Sequence, residues 1–208
     1  MRAARTASVT DSTGEVFTNV LDVAASEGTQ LSLWTAVVAG GAGTKPTITV
    51  TPSASADVGV VAAEYSGLST DGTGVDLTTT TTGATTTGGT VSSGSAGPAA
   101  GANELAVGLY ADSGYGSTLT AGTGWTQRAN ISGASDLDLL LQDQVITAGA
   151  SVASCRQKVM TIFSAAPGVW ASVNASSAWA KSNRSLMIAP YSSGRATMWS
   201  VTSKISVG

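Results

Sequence analysis

The chain of 208 residues carries 10 basic and 13 acidic side chains, so its net charge is −3, and only 11% of its residues are charged. Low charge with abundant Gly, Ser, Thr and Ala is typical of secreted or surface-displayed β proteins and argues against a cytosolic helical enzyme. Because the chain has no histidine, Ser-His-Asp and Cys-His catalysis and histidine-based zinc or copper sites are excluded. Cys155 is the only cysteine, which excludes an intramolecular disulfide.

Alternating apolar and polar residues predict five strands in the first part of the chain, at residues 7–10, 16–23, 30–38, 47–51 and 57–66. Asp11-Ser12-Thr13-Gly14 follows the first of them and is predicted to be a turn, because Asp and Gly relieve backbone strain there. Residues 57–66 are small or β-branched almost throughout, which suits a strand buried on most of both faces. We therefore predict that this segment is the central strand of the core.

Residues 70–101 form a low-complexity stretch of Thr, Gly and Ser, which can supply at most an edge strand or a long surface connection. Further strands are predicted at residues 104–111, from 124 onward and at 137–146. About nine strands at spacings of about 8 to 15 residues, without a convincing helix, predict an all-β fold. We expect an antiparallel β-sandwich of about 8 to 10 strands, of the jelly-roll or Ig-like kind.

Charge divides the chain sharply. Residues 1–153 hold all 13 acidic residues and four basic ones, a net charge of −9, whereas residues 154–208 hold six basic residues and no acidic one. One domain seldom segregates its charges so completely. We therefore predict an acidic β-sandwich domain at 1–153 and a basic C-terminal extension at 154–208, with a boundary near Ala153.

A series of short motifs also resembles a widespread bacterial β-sandwich repeat module found in large secreted or surface proteins. The resemblance covers about residues 5–150. It is carried by Val9-Thr10-Asp11-Ser12-Thr13-Gly14, Leu31-Ser32-Leu33-Trp34, Ala63-Glu64-Tyr65-Ser66-Gly67-Leu68, Asn103-Glu104-Leu105-Ala106-Val107-Gly108, Thr120-Ala121-Gly122-Thr123-Gly124-Trp125-Thr126-Gln127-Arg128 and Asp143-Gln144-Val145. It implies a sandwich fold and an extracellular or surface setting, often beside carbohydrate-binding or adhesion domains, and it brings no catalytic residues.

The chain departs from that module at both ends. Only eight residues precede the Val-Thr-Asp-Ser turn, and a basic tail follows where the module has a Trp-containing strand. A reading-frame change, a fusion or a gene fragment would each produce such a chain. Alternatively, segments of the tail at 159–163, 186–189 and 196–207 replace the missing strands, and attraction between the acidic body and the basic tail would favour this docking.

Paired carboxylates are the one common catalytic device that the composition leaves open, because glycoside hydrolysis needs two of them about 5 to 9.5 Å apart. Glu64 is the best candidate, with Asp138 or Asp143 as its partner. Tyr65 is predicted on the opposite face of the strand from Glu64 and cannot assist it directly. In the competing structural interpretation, Glu64 points to solvent or accepts backbone hydrogen bonds.

Two binding sites are also predicted. Calcium is a possible ligand of the 71–76 segment through Asp71 and Asp76, although the full set of oxygen ligands is missing and a plain turn competes with this interpretation. An aromatic platform for sugar rings is the second site, and tryptophans in the core of a sandwich are its alternative. The platform residues are Trp34, Trp125, Tyr110 and Tyr115.

The sequence leaves three functions open. The first is a non-catalytic secreted or surface-displayed module that binds carbohydrate or a cell-surface polymer. The second is a self-assembling structural subunit, such as a surface fibre or virion protein, that oligomerises by strand exchange at an open sheet edge. The third is a glycoside hydrolase. No apolar run approaches the roughly 18 residues of a membrane span, so we expect none, and the thin basic content of the tail argues against a nucleic-acid partner.

Overall fold

The computed structural model shows an all-β protein. It describes residues 6–25, 30–38, 46–54, 58–66, 68, 75–83, 90–99, 103–112, 119–131, 138–147, 159–164, 184–192 and 205–207. Twelve strands lie in these ranges: β1 (Thr6–Asp11), β2 (Thr18–Ala24), β3 (Gln30–Val38), β4 (Ile48–Pro52), β5 (Val58–Ser66), β6 (Val75–Thr80), β7 (Asn103–Asp112), β8 (Thr126–Ile131), β9 (Asp138–Thr147), β10 (Val159–Ser164), β11 (Arg184–Ser192) and β12 (Ile205–Val207). The described ranges include no helix, and so none that is long and apolar enough to cross a membrane.

The strands form three sheets with the orders β1-β4-β12, β2-β3-β11-β5 and β6-β10-β7-β9-β8. All ladders are antiparallel except that of β12 with β4. The chain forms two compact units, and each sheet lies within one of them. The first unit comprises residues 1–73 and 167–208 and holds the three-stranded and four-stranded sheets, and the second comprises residues 74–166 and holds the five-stranded sheet.

The first unit is a two-sheet sandwich. Its core joins the three-stranded sheet, through Val9, Ile48 and Val50, to Val60 of the four-stranded sheet, with Trp34 packed against the cluster. Each fully buried aliphatic side chain of this kind contributes about 1.5 to 3 kcal/mol to folding. The prediction of an all-β antiparallel sandwich is therefore confirmed.

The strand β5 has the burial that its sequence predicts, but not the predicted position. Val60 on one face and Val61, Ala63 and Tyr65 on the other are all buried. Yet, among the strands that the structure describes, β5 is the last of the four-stranded sheet and pairs with β11. The prediction of a central strand is wrong, because burial of both faces reflects the layers that pack above and below a strand, whereas centrality depends on neighbours within the sheet.

In the second unit, one face of the five-stranded sheet is covered by short connecting segments. Ala106 of β7 and Ile146 of β9 pack with Trp125, and with Ala96 and Ala99 from the otherwise irregular 90–99 segment. Alanines thus surround one large indole ring, which fills the space that small side chains leave. The low-complexity stretch also supplies β6, an edge strand, as predicted, whereas its Ala96 and Ala99 are core residues and not part of a surface connection.

The first turn is held by a single carboxylate. Asp11 Oδ1 accepts hydrogen bonds from the backbone N–H groups of Thr13, Gly14 and Glu15, at 3.1, 2.8 and 3.0 Å. Gly14 has a φ of 83°, in the left-handed region that favours glycine. The predicted turn is confirmed, and it fixes the passage of the chain from β1 towards β2.

Three strands of the basic extension join these sheets. β10 pairs with β6 and β7, β11 with β3 and β5, and β12 with β4. The proposed boundary near Ala153 lies outside the described residues, as does Cys155. The division into an acidic domain and a basic extension therefore stays a prediction.

Candidate functional site

The three candidate catalytic carboxylates do not form a pair within either unit. Glu64 is half-buried on β5 of the first unit, and the adjacent Tyr65 is buried on the opposite face, as the alternation predicts. Asp138 and Asp143 both lie on β9 of the second unit. Because they are five residues apart in one strand, their side chains project from opposite faces of the sheet.

Asp143 is held by an ion pair. The Arg128 Nε atom lies 2.6 Å from Asp143 Oδ2, and the exposed fractions of the two side chains are 23% and 3%. Arg128 sits at an irregularity in the β8–β9 ladder, where the register shifts between Gln127 and Ala129. The ion pair compensates the charge of the buried carboxylate, which gives Asp143 a structural role.

The second carboxylate, Asp138, belongs to a different group of side chains. It is buried and lies directly opposite Asp112 in the β7–β9 ladder. The Tyr110 hydroxyl donates a hydrogen bond of 2.5 Å to Asp112 Oδ2. Directly opposed Cβ atoms are about 4.5 to 5.5 Å apart, so two carboxyl groups and a phenol meet at this end of the sheet.

Sequence reasoning singled out Asp138 and Tyr110 for separate roles and missed Asp112, which brings them together. Residues two positions apart lie on the same face of a strand, so the sequence does indicate that Tyr110 and Asp112 are neighbours. The pairing of Asp112 with Asp138 depends on register, which local sequence leaves open. Two carboxyl groups beside a phenol can hold a proton, a hard cation or the hydroxyl groups of a ligand.

Of the two calcium-ligand candidates, Asp71 and Asp76, the structure describes only Asp76. Asp76 is half-buried in β6, and Asp71 lies outside the described residues. Across the part of the chain that the structure describes, no three acidic, cysteine or histidine side chains are placed to hold a metal ion. Calcium binding therefore stays a prediction.

The predicted aromatic platform is largely internal. Trp125 is 8% exposed within the core of the second unit, and Tyr110 is 5% exposed. Trp34 is half-buried and packs against the core of the first unit, and Tyr115 lies outside the described residues. Trp125 and Tyr110 are thus buried in the second unit, and sugar binding by the platform stays a prediction.

Some buried polar atoms have no hydrogen-bond partner among the described residues. Ser32 Oγ and Trp34 Nε1 lie two positions apart on the same face of β3, and Asn130 Oδ1 lies on β8. The Asn130 amide nitrogen, by contrast, donates to Leu119 O at 2.9 Å. A buried hydroxyl that makes no bond costs about 1 to 3 kcal/mol, so Ser32 marks a weak point in the four-stranded sheet.

The edge strands of the three sheets differ in how well they are protected against pairing with a strand of another chain. The strands β1, β2, β6 and β8 all have a register shift in their ladders, and β12 is three residues long. Bulges and short length are the usual means of blocking edge-to-edge association. The strand β5, in contrast, pairs regularly with β11 over nine residues, and Glu64 is the only charged residue of β5. We call this margin of the four-stranded sheet the β5 edge.

Comparison with known proteins adds no relative. No family model matches the chain, no curated protein matches it, and no solved structure matches it. The resemblance to a bacterial repeat module therefore stays a prediction.

Proposed function

We propose that the chain is a non-catalytic β-sandwich module of a secreted, cell-surface or virion assembly, and that it joins neighbouring subunits by strand pairing at the β5 edge. The observation that supports this proposal is the contrast between β5 and the other terminal strands. Nine residues at about 3.3 Å each give an edge about 30 Å long, which is enough for a full strand to add. Main-chain hydrogen bonds then provide the affinity.

The buried faces of β5 make the added strand favourable. An incoming strand that continues the four-stranded sheet also extends the apolar layers to which Val60, Val61 and Tyr65 belong. Apolar surface removed from water contributes about 25 cal/mol per Å². The edge lacks the lysines and prolines that protect natural edges, and a strand on this margin meets one carboxylate, that of Glu64.

Proline substitutions test the β5 edge. Successive residues of an antiparallel strand direct their N–H groups to opposite sides, so either Ala62→Pro or Ala63→Pro removes a donor from the outer margin and the other breaks the ladder with β11. We expect one of the two variants to lose self-association, measured by light scattering after size exclusion, while its thermal unfolding stays close to that of the wild type.

Val20→Pro is the matched control, because Val20 is the residue that the β2–β3 register skips and so lies on an edge that is already bulged. This variant should associate like the wild type. A wild-type chain that is monomeric over the whole accessible concentration range would contradict the proposal. Equal association of all three variants would show that the subunits meet elsewhere.

Carbohydrate binding is a second candidate, favoured by Asp112, the half-buried member of the group that it forms with the buried Tyr110 and Asp138. Carboxylate oxygens accept hydrogen bonds from sugar hydroxyls, and Tyr115 of the predicted platform follows Asp112 by three residues. Binding to a polysaccharide panel, with and without calcium, should weaken about tenfold or more for Asp112→Asn if this group makes the contact. Asp76→Asn is the control, and equal binding by both variants would refute the candidate.

A further inference from the structure

We propose that β11 is exchanged between copies, so that the C-terminal segment 167–208 of one chain completes the four-stranded sheet of another. This inference deepens the proposed function, on which it rests, because it names the partner as a second copy of the same chain. It concerns the position of β11 between β3 and β5, which lies on the opposite side of β5 from the β5 edge.

The first unit is built from two separate parts of the chain. Residues 1–73 supply β1 to β5, and residues 167–208 supply β11 and β12. The intervening residues, 74–166, form the second unit. Residues 1–73 therefore supply both neighbours of β11, namely β3 and β5, and the β11 that pairs with them can come from the same chain or from another copy.

The four-stranded sheet depends on β11. In the order β2-β3-β11-β5, it is the strand that joins β3 to β5. Its ladder with β5 runs from Arg184 to Ser192, whereas its ladder with β3 ends at Ile188, two residues before Pro190. A proline lacks the N–H that a central position needs, so the sequence of β11 fits a strand with two neighbours along one half and one along the other.

The C-terminal segment 167–208 and the N-terminal residues 1–73 carry opposite net charges. Residues 167–208 carry four basic side chains and no acidic one, and residues 1–73 carry seven acidic and three basic ones, so the two parts have net charges of +4 and −4. Two copies of the C-terminal segment repel each other, and each is attracted by the N-terminal part of either chain. Opposite charge speeds the encounter and selects the pairing partner.

The connection is long enough for exchange. Residues 165–183 separate β10 from β11 and include Pro167-Gly168. Nineteen residues span at most about 60 to 70 Å when extended. Because the contacts of β11 are the same in the closed and the exchanged forms, protein concentration and the connection decide which form prevails.

Two single-cysteine variants in a Cys155→Ser background test the exchange. Met187 is the register partner of Ala63 in the β5–β11 ladder. The first copy carries Ala63→Cys, and the second carries Met187→Cys and a tag that changes its mass. Paired residues have Cα atoms about 4.5 to 5.5 Å apart, within disulfide range. Refolding the two together under oxidising conditions should give the mixed covalent dimer, and its ratio to monomer should rise about tenfold per tenfold increase in concentration while monomer dominates.

The controls separate this inference from the proposed function. Asp22→Cys mixed with Ser32→Cys, a register pair of β2 and β3 within residues 1–73, should give no mixed dimer. The double variant Ala63→Cys/Met187→Cys should form its bond within one chain at low concentration. If that internal bond forms and the mixed dimer does not, exchange is refuted and the β5 edge is untouched. If neither bond forms, β11 does not pair with β5, and exchange is refuted as well.

Discussion

Removing the guanidinium of Arg128 should destabilise the second unit strongly. In Arg128→Met the aliphatic stem is retained, but the Asp143 carboxylate, 3% exposed, loses the Nε atom that lies 2.6 Å from its Oδ2 atom. Two unit charges about 4 Å apart interact by about 4 kcal/mol at an effective dielectric constant near 20, and breaking buried pairs costs about 3 to 5 kcal/mol. Because Arg128 retains 23% exposure, we expect a loss of about 2 to 4 kcal/mol.

Native-state hydrogen exchange of peptides from β8 and β9 is the suitable assay, because it reports the opening free energy of the second unit separately from that of the first. A cycle with Asp143→Asn and the double variant isolates the coupling between the two side chains. We expect the double variant to recover part of the loss, since it buries no uncompensated charge. A loss below about 0.5 kcal/mol for Arg128→Met would refute the reasoning, as would a strong decrease of the coupling in salt, which marks an exposed pair.

Substitutions at three further positions probe the turn, the core and the unsatisfied hydroxyl. Asp11→Ala removes the acceptor of three backbone N–H groups and should cost about 1 to 2 kcal/mol in thermal unfolding, whereas Asp11→Asn should cost less; equal losses would show that the oxygen is unimportant. Trp125→Ala leaves a cavity lined by alanines and should destabilise the second unit by about 3 to 5 kcal/mol, measured by hydrogen exchange of β9, and a smaller loss would mean that the site collapses. Ser32→Ala should leave stability within about 0.5 kcal/mol of the wild type or raise it, and a loss above about 1 kcal/mol would reveal a bonded partner for the hydroxyl.

The sequence alone determined most strands of the first 150 residues and the faces of their side chains. The predicted strand 30–38 coincides with β3, and the predicted strands 104–111 and 137–146 match β7 and β9 to within one residue at each end. The turn at Asp11 and the opposite faces of Glu64 and Tyr65 followed in the same way. These features are local, because the two-residue period of a strand and the backbone preferences of Asp and Gly act over a few residues.

Only the tertiary structure decided which strands and side chains meet. Nothing near residues 58–66 specifies that β11, more than 100 residues away in the chain, lies on one side of β5 and that β5 ends its sheet. The opposition of Asp112 and Asp138 likewise depends on the β7–β9 register, and a shift of one residue would separate them. The sequence around Trp125 is equally compatible with a solvent-exposed ring, and the alanines Ala96, Ala99 and Ala106 that pack with it come from two other segments of the chain. Sequence period fixes the face of a residue, whereas pairing between distant segments fixes its neighbours, and the candidate interfaces of this protein depend on those neighbours.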